Sequence, residues 1–479
     1  MTGRRKIAME PTLTKYEKVM NYIKECIASG EWPVGSKIPS QRKLAELFSV
    51  NRSTIVTALE ELKADGLLEG VMGKGTIVVN NTWTLLAASP PSDWNEYASV
   101  SLPKPSPAAE TSEAEQPAHL IELSKGELAQ DIFPTDNMQQ VMMRLAESLE
   151  PFGYEEPKGY LPLRQAISDY MGRQGTEVSP SSILIVSGAL QGLQLISAGL
   201  LHRGSTVLLE KPSYLYSLHV FQSAGMNLCG LPMDEEGLQA AAISKKAEAG
   251  PSSILYTIPC FHNPTGILMS ESRRRELLDI CEQKQLPVIE DDIYRELWID
   301  SPPPPTLKSL DASGHVLYIG SFSKTLTPGL RIGWIAGPDQ VIERLADIKM
   351  QTDYGSSSLS QLVAAEWISS GLYEQHLSFV REELKKRRSA ALEALNRYMS
   401  DLAEWDVPSG GFLIWLRLKA NIQVKELNLK AYKEGVLLNP GSIYTGESIQ
   451  AIRLSYGYAS IEEFEQAISK LRKIILDDN

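Results

Sequence analysis

The chain has 479 residues, 43% of them hydrophobic, so it is too long for a single core and has enough apolar side chains for two or three domains. It contains no run of about eighteen apolar residues, and its basic N-terminus is followed by polar sequence, which argues against a membrane-spanning or secreted protein. We therefore expect a multidomain cytoplasmic protein. Its net charge of −12, taken alone, argues against a nucleic-acid partner.

The charge is unevenly distributed along the chain. Residues 1–79 contain 12 lysines and arginines and 9 acidic residues, so this segment is basic while the remainder is strongly acidic. The four cysteines have neither disulfide nor metal-ligand spacing. We predict that they are reduced structural thiols and that the chain has no metal site.

The first 79 residues predict three helices followed by a hairpin. Apolar residues recur at helical spacing from Tyr16 to Ile27, and Gly30 ends this first helix. Ser40 is a candidate N-cap for a second helix, and a third helix begins near Asn51 and ends at Gly66. After a closing glycine, a glycine-bearing turn and the β-branched run 76–79 predict a two-stranded wing. This order of elements is that of an α+β winged helix-turn-helix domain.

The third helix carries polar residues at its N-terminal end, where a recognition helix meets the major groove. Arg52 can read a guanine or hold a phosphate, and Ser53 and Thr54 are short donors beside it. Arg42 can contact the DNA backbone, and Lys74 on the wing tip can enter the minor groove. An ordinary three-helix bundle with a hairpin fits the same pattern equally well.

Four short motifs decide between these two interpretations. They are Lys37-Ile38-Pro39-Ser40-Gln41-Arg42-Lys43-Leu44-Ala45, Val50-Asn51-Arg52-Ser53-Thr54-Ile55, Gly66-Leu67-Leu68 and Gly73-Lys74-Gly75-Thr76. The motifs closely resemble the GntR-type winged helix over nearly all of residues 12–79. The resemblance implies DNA contacts from Arg42, Arg52, Ser53, Thr54 and the wing at Lys74. Some members carry an arginine where this chain has Val56, so the resemblance does not give the operator sequence.

Residues from about 84 to 118 have the composition of a linker. Prolines alternate there with serine, alanine and glutamate, and neither helical nor strand periodicity survives. We predict a flexible linker over residues 80–119. It separates a DNA-binding domain at 12–79 from a larger domain at 120–479.

From residue 120 onward, short apolar runs alternate with helical stretches, an order typical of a mainly parallel α/β sheet. The predicted strands are 183–186, 207–209, 254–256, 288–289 and 316–319. After about residue 360, a long charged helix from Phe379 to Tyr398 precedes apolar runs at 412–415 and 452–454. This second pattern predicts a smaller C-terminal α+β subdomain.

A lysine among hydroxyl residues in the larger domain suits the anchoring of pyridoxal phosphate. This cofactor needs a lysine for a Schiff base, an acid at its pyridine nitrogen, donors to its phenolic oxygen, an aromatic cover and an anion cradle. Lys324 follows two serines, and Arg331 lies seven residues beyond it. We predict the Schiff base at Lys324 and the phosphate at Ser321, Ser323 and Arg331.

Polar residues at two other strand ends suit the cofactor ring. Asp291 ends an apolar strand and can pair with the pyridinium, because site residues of parallel sheets lie at the carboxyl ends of strands. Tyr294 lies just beyond it, and Asn263 follows another strand. Both can donate a hydrogen bond to the phenolic oxygen.

Two further strand ends suit the remaining parts of such a site. The backbone N–H groups of Ala189 and Leu190 begin a helix after a strand and can bind an anion. Tyr214 follows another strand and can stack on the ring. Each fragment alone is a weak signal, but all of them together in this order are specific.

Together the fragments resemble the fold-type-I aminotransferases of class I over residues 120–475. The resemblance implies a homodimer in which Tyr154 reaches the site of the neighbouring subunit. It also implies that Arg453 binds the carboxylate of an amino compound as a bidentate fork. The alternative for Arg453 is a buried strand arginine that pairs with an internal acid.

The chain as a whole resembles the MocR subfamily of GntR regulators, in which such a winged helix precedes such an aminotransferase-like domain. The resemblance implies a transcriptional regulator that senses pyridoxal phosphate or an amino compound through Lys324 and binds operator DNA as a head-to-tail homodimer. A working aminotransferase with an appended DNA-binding domain is the competing hypothesis, because nothing in the sequence disables that chemistry. A winged helix that binds protein instead of DNA is a third.

Overall fold

The structure, a computed structural model, describes residues 15–28, 32, 36–48, 50–64, 67–71, 75–79, 119–147, 153–246, 253–419 and 422–477. The chain divides into two compact units, Met1–Glu110 and Thr111–Asn479. Within the described ranges, no helix combines the length and the apolar character that crossing a bilayer requires.

The first unit is made of helices and one hairpin. Its elements are α1 (Lys15–Ala28), α2 (Gln41–Phe48), α3 (Arg52–Ala64), β1 (Leu68–Val71) and β2 (Gly75–Val78). The two strands pair antiparallel, with Leu68 opposite Val78. One buried cluster holds apolar side chains from all five elements, among them Val19, Leu44, Ile55, Leu68 and Val78. The winged helix-turn-helix predicted from the sequence is confirmed.

The start of each helix in the helix-turn-helix is fixed by local hydrogen bonds. Ser40 caps α2, because its Oγ accepts a hydrogen bond of 3.3 Å from the Lys43 N–H. At the start of α3 the Asn51 carbonyl accepts the N–H of Thr54 at 3.0 Å. The predicted helix ends at Gly30 and Gly66 lie outside the described residues.

The second unit contains strands and helices in alternation. Its strands are β3 (Ile121–Glu122), β4 (Ile183–Val186), β5 (Thr206–Lys211), β6 (Asn227–Asp234), β7 (Gly237–Leu238), β8 (Ser253–Thr257), β9 (Val288–Asp291), β10 (Val316–Ser321), β11 (Gly333–Ala336), β12 (Ala403–Glu404), β13 (Leu413–Leu418), β14 (Val436–Leu437), β15 (Asn439–Pro440) and β16 (Ala451–Ser455). Its helices are α4 (Thr135–Glu147), α5 (Leu161–Arg173), α6 (Ala189–Gly199), α7 (Val220–Ser223), α8 (Ala240–Lys246), α9 (Glu271–Gln283), α10 (Leu307–Leu310), α11 (Asp339–Thr352), α12 (Ser358–Ser369), α13 (Leu372–Met399), α14 (Val424–Lys433) and α15 (Ile461–Asp477).

The large sheet has eight strands in the order β4-β11-β10-β9-β8-β5-β6-β7. Strands β10, β9, β8, β5 and β6 run parallel to their neighbours within this group, whereas β11 is antiparallel to both β10 and β4. All residues of β4, β9 and β10 are buried, as expected of central strands covered on both faces. The predicted α/β fold with a mainly parallel sheet is confirmed.

A smaller antiparallel sheet, in the order β12-β13-β16-β15, lies in the C-terminal part of the unit. Its core is continuous with the helices α13 and α15, because Leu413, Leu384 and Leu471 belong to one buried cluster. Strand β3 pairs in parallel with β14, so residues 121–122 also join this part. The first described residues of the unit are thus held beside its C-terminal strands.

Candidate functional site

The carboxyl ends of three neighbouring strands bring the predicted site residues together. Asp291 ends β9, Lys324 follows the end of β10, and Asn263 follows the end of β8. Because these strands are parallel, their carboxyl ends lie at one edge of the sheet. The charges of Asp291, Arg331 and Arg453 all act on Lys324, which groups these residues in one site.

Asp291 has one satisfied and one unsatisfied carboxylate oxygen. Its Oδ2 accepts a hydrogen bond of 2.6 Å from the Tyr256 hydroxyl. Its Oδ1 is buried and has no hydrogen-bond partner among the described residues. Burial raises the pKa of Asp291 to about 6, and the hydrogen bond from Tyr256 opposes that rise. This oxygen can accept a hydrogen bond from a bound molecule.

Lys324 has the environment of a reactive amine. Its Nζ donates a hydrogen bond of 2.6 Å to the Gly126 carbonyl. Desolvation and the nearby charge of Arg453 lower the pKa of Lys324 to about 8, against the opposing charges of Glu127 and Asp291. At neutral pH the amine is therefore uncharged, and so nucleophilic, far more often than that of an exposed lysine.

Asn263 connects three other predicted residues. Its Oδ1 accepts a hydrogen bond of 3.1 Å from Arg453 Nη1, which orients the amide so that Nδ2 donates to the Tyr294 hydroxyl at 3.1 Å. Its backbone carbonyl accepts the N–H of Tyr214, also at 3.1 Å. Burial raises the pKa of Tyr294, which keeps this side chain a neutral phenol with a hydrogen to donate.

Arg453, on β16, is a buried cation that the described residues leave without an acidic partner. Its exposure is only 3%. Besides Asn263, its guanidinium donates through Nη2 to the Ser124 carbonyl and lies 5.2 Å from the Tyr444 ring centroid. Its Nε is buried and unpaired within the described part of the chain. No internal acid of the kind that would explain the arginine structurally is found among these residues, so the site is suited to an incoming carboxylate.

The start of α6 forms an anion cradle with Arg331. The N–H groups of Ala189 and Leu190 occupy its first turn, where helix geometry provides no intrahelical acceptor. Arg331 donates from Nη2 to the Ser187 carbonyl at 2.8 Å. A Cβ on Gly188, which has a φ of 86°, would lie 2.5 Å from that same nitrogen, so only glycine lets the guanidinium approach this turn.

The two serines before Lys324 lie at the end of β10. Ser321 is buried, and its Oγ lies 3.0 Å from Ser323 Oγ and 3.2 Å from the Ile332 carbonyl. The N–H of Ser323 donates to Ser321 Oγ at 3.1 Å. Both hydroxyls thus lie within three residues of the reactive amine, while their contact with a phosphate stays a prediction.

Tyr154 stands apart from these residues within one chain. Its side chain is 83% exposed, and its ring centroid lies 5.6 Å from that of Tyr354. A tyrosine so exposed is free to contact a second molecule. The reach of Tyr154 into a neighbouring subunit stays a prediction.

The predicted DNA-contacting residues lie at the N-terminal ends of α2 and α3. Arg52 and Ser53 are exposed, Thr54 is half-buried, and the side chain of Arg42 is 88% exposed. The wing residue Lys74 lies outside the described residues. The structure therefore presents four of the five predicted contacts on the first two turns of these helices.

Sequence reasoning missed Tyr256 and the two carbonyls that hold the cations of the site. Tyr256 lies opposite Ile289 on the neighbouring strand, and Ile289 shares a strand face with Asp291, so the strand register would have revealed the contact. Ser124 and Gly126 act through backbone oxygens. No side-chain pattern could have revealed these two.

The observed groups fit pyridoxal phosphate. The unpaired Asp291 Oδ1 suits the pyridinium N–H, the Lys324 amine suits the aldehyde, and the cradle at Gly188 suits the phosphate. These requirements are independent of one another. All are met at one edge of the sheet.

Known families match both units. Residues 15–78 match the bacterial regulatory proteins of the gntR family, and residues 118–471 match aminotransferase class I and II. The HTH-type transcriptional regulator YdfD of Bacillus subtilis (strain 168), described as uncharacterized, is 59% identical over 97% of this chain and 96% of its own length. NorG, an HTH-type transcriptional regulator of Staphylococcus aureus (strain bovine RF122 / ET3-1), is 36% identical over 91% of this chain and 98% of its own.

A solved structure similar to the second unit is LysN, the α-aminoadipate aminotransferase of Thermus thermophilus, complexed with N-(5'-phosphopyridoxyl)-L-leucine. It superposes with a TM-score of 0.71 and 28% identity, over 80% of this chain and 98% of that one. The family matches cover both units of this chain, in the order that the sequence predicts. The chain therefore belongs to the GntR-type transcriptional regulators of the MocR subfamily, in which a DNA-binding winged helix precedes an aminotransferase domain that uses pyridoxal phosphate.

Proposed function

We propose that this regulator senses pyridoxal phosphate, or an amino compound that meets it, at Lys324. The observation that carries the proposal is a reactive lysine beside a buried, half-satisfied aspartate in a chain that also has a DNA-binding unit. A regulator needs a ligand that changes its DNA binding. The site at the sheet edge would bind a ligand of defined chemistry.

Different residues of the site would bind different parts of the cofactor. When bound, pyridoxal phosphate supplies an aldehyde that reacts with primary amines and an electron-withdrawing pyridine ring. Asp291 would hold the pyridine nitrogen, Asn263 and Tyr294 the phenolic oxygen, and Tyr214 the ring face. The phosphate would be held by Ala189, Leu190, Ser321, Ser323 and Arg331.

The remaining groups suit a ligand that has both an amine and a carboxylate. Arg453 is buried and has unpaired donor capacity, so a carboxylate would compensate its charge. The amine of the same molecule would lie near Lys324, because the charge of Arg453 acts on that lysine. We therefore propose an amino acid or a close analogue as the effector.

The assembly and location of the protein belong to the same proposal. An aminotransferase-like unit with an exposed Tyr154 favours a homodimer in which that tyrosine completes the partner's site. By family resemblance the dimer is head-to-tail. A regulator that binds chromosomal DNA would work in the cytoplasm.

The competing function is that of an active aminotransferase with an appended DNA-binding unit. Incubation of the purified protein with pyridoxal phosphate, an amino donor and a keto acid separates the two. We expect a single spectral change without turnover. Steady formation of product over many turnovers would contradict a purely regulatory role.

A footprint on the DNA that flanks the gene of this protein tests the regulatory role itself. We expect a protected operator whose occupancy falls steeply with salt, because the contacts include arginine–phosphate pairs. The occupancy should change when pyridoxal phosphate is added. The absence of any protected site at low salt would favour a winged helix that binds protein.

A further inference from the structure

Side-chain hydrogen bonds connect the first residues of the two helices of the helix-turn-helix. Gln41 begins α2 and Arg52 begins α3. The Gln41 Oε1 accepts two hydrogen bonds from Arg52, one of 3.2 Å from Nε and one of 3.1 Å from Nη2. The two residues are eleven positions apart, so the contact depends on how the helices pack and not on local helix geometry.

This contact fixes the plane of the guanidinium. Two donors of Arg52 converge on one oxygen, which leaves Nη1 and one hydrogen of Nη2 without a partner among the described residues and able to bind another molecule. An arginine reads guanine through two parallel hydrogen bonds to O6 and N7, which requires two donors held in the plane of the base. A guanidinium oriented before binding loses less side-chain entropy when it meets the base.

The neutral amide at position 41 also preserves the positive charge at the N-terminal ends of α2 and α3. Neither α2 nor α3 has an acidic residue in its first turn, so the positive ends of both helix dipoles are uncompensated there. A carboxylate at position 41 would orient Arg52 equally well but would cancel its charge. Glutamine orients the arginine without weakening its attraction to DNA.

The neighbouring Arg42 is held differently. Its Nε lies 3.2 Å from Glu46 Oε1 in a surface pair one helical turn apart, with side-chain exposures of 88% and 67%. Exposed pairs of this kind contribute little and break readily. Arg42 thus has one exposed contact within its own helix and can follow a phosphate, whereas Arg52 has two hydrogen bonds to a half-buried glutamine of the other helix, which restrain its plane.

We infer that Gln41 is a specificity-determining residue of the DNA-binding unit, which positions Arg52 to read one base of the operator. Arg42 grips the backbone and does not contribute to this reading. The inference goes beyond the sensing of a ligand, because it concerns which DNA sequence the regulator selects.

The test is selection of bound duplexes from a random-sequence DNA library by the full-length protein and its variants. Gln41→Ala removes the acceptor, Gln41→Glu keeps it and adds a charge, and Glu46→Gln is the matched control that removes the negative charge paired with Arg42. We expect the parent to select a motif with a strongly preferred guanine. In Gln41→Ala the preference at that base should fall about tenfold, while other positions of the motif persist. Glu46→Gln should select the parental motif.

Gln41→Glu distinguishes positioning from mere stability of the unit. We expect it to keep the parental base preference but to bind every sequence more weakly, since its charge opposes the phosphates. Thermal unfolding and cofactor absorbance of each variant establish that the protein is folded. An unchanged motif in Gln41→Ala would overturn the inference. So would an equal loss of binding to all sequences in Gln41→Ala, or a changed motif in Gln41→Glu.

Discussion

The surroundings of the Lys324 amine determine its pKa and therefore its reactivity. Burial away from water and, to a smaller extent, the charges of Arg453 and Arg331 lower its pKa to about 8, from the 10.5 of an ordinary lysine. The uncharged amine, which attacks an aldehyde, is therefore formed as the pH rises through about 8.

We expect the rate of covalent attachment of pyridoxal phosphate to rise with pH and to level off above a midpoint near 8. Stopped-flow absorbance at a series of pH values measures this rate, and Lys324→Ala should show no visible band at any of them. A midpoint near the ordinary lysine value of 10.5 would contradict the environment described for this amine.

Tyr256 is one of the groups that favour the ionised form of Asp291, together with the backbone at Ile293 and the charge of Lys324. Its hydroxyl opposes the rise in pKa that burial causes, so Tyr256→Phe should move the pKa of Asp291 above about 6 and leave more of the carboxyl neutral at pH 7. A hydrogen bond to a charged group contributes about 1.5–3 kcal/mol, so we expect the affinity for pyridoxal phosphate at pH 7 to fall about tenfold or more. The loss should be smaller at pH 9.

Equilibrium titration, followed by the absorbance of the cofactor, measures the affinity of Tyr256→Phe for pyridoxal phosphate. The matched control is Tyr456→Phe, which removes a hydroxyl bonded to the Gly411 carbonyl outside the site. If Tyr256→Phe and Tyr456→Phe bound the cofactor equally well, Tyr256 would have no role at Asp291.

Arg453 tests whether the effector carries a carboxylate. We expect Arg453→Ala to retain the cofactor absorbance of the parent but to lose the spectral response to added amino acids, since the buried cation is the only carboxylate ligand predicted for the effector. The response of the parent to the same amino acids is the reference. A variant that still answered them with parental affinity would remove the carboxylate from the proposal.

The sequence predicted individual site residues best where a single side chain at the end of a strand has a single function. Lys324, Asp291 and Asn263 follow continuous apolar runs, and short hydroxyl or amide motifs mark the ends of those runs. Tyr256 could not be recognised in this way, because its role arises from the register of two strands more than thirty residues apart. Backbone contributions from Ser124 and Gly126 leave no trace in side-chain pattern at all.

At the scale of elements, the segment from Ser124 to Gly126 connects the site to the rest of the chain. Its carbonyls accept hydrogen bonds from Arg453 and Lys324, the two cations of the site. The segment follows β3, which is the first strand after the predicted linker. We therefore expect a change at either cation to alter how firmly residues 124–126 are held.

We expect amide hydrogen exchange at residues 124–128 to become about tenfold faster in Lys324→Ala, because the Gly126 carbonyl loses a charged donor. Addition of pyridoxal phosphate to the parent should also make exchange at these residues faster, because Lys324 would then bind the cofactor instead of the Gly126 carbonyl. Residues 271–283 on α9 serve as the internal reference. Equal exchange in parent and variant would show that the lysine does not restrain the segment.

Most buried strands of the large sheet were predicted in the right place, although β5, β9 and β10 are longer than predicted and the buried strand β11 was missed. The run Ile183 to Val186 coincides with β4, because four consecutive apolar residues bounded by polar turns fit no other element as well. Strand β6 was missed, because several of its residues are half-buried and its composition is mixed. The pairing of β3 with β14 joins residues more than three hundred positions apart, which composition cannot indicate.

At the scale of the whole molecule, the chemistry of the site and the identity of the protein come from different units. Lys324, Asp291, Asn263 and Arg453 lie together at the sheet edge and would suit an aminotransferase equally well, so the second unit alone does not distinguish an enzyme from a sensor. The GntR match over residues 15–78 and the regulator relatives decide for a regulator. A regulator of this kind requires that ligand binding in the second unit change DNA binding by the first.

The most direct test of that coupling is the affinity of the full-length protein for its footprinted operator, measured by fluorescence anisotropy with and without pyridoxal phosphate and a panel of amino acids. We predict that ligand changes the dissociation constant of the parent by about fivefold or more. Lys324→Ala should bind the same DNA without responding, and Arg52→Ala should bind the cofactor but not the operator. An operator affinity that ligand leaves unchanged in the parent, or changes equally in Lys324→Ala, would contradict a regulator that senses through this lysine.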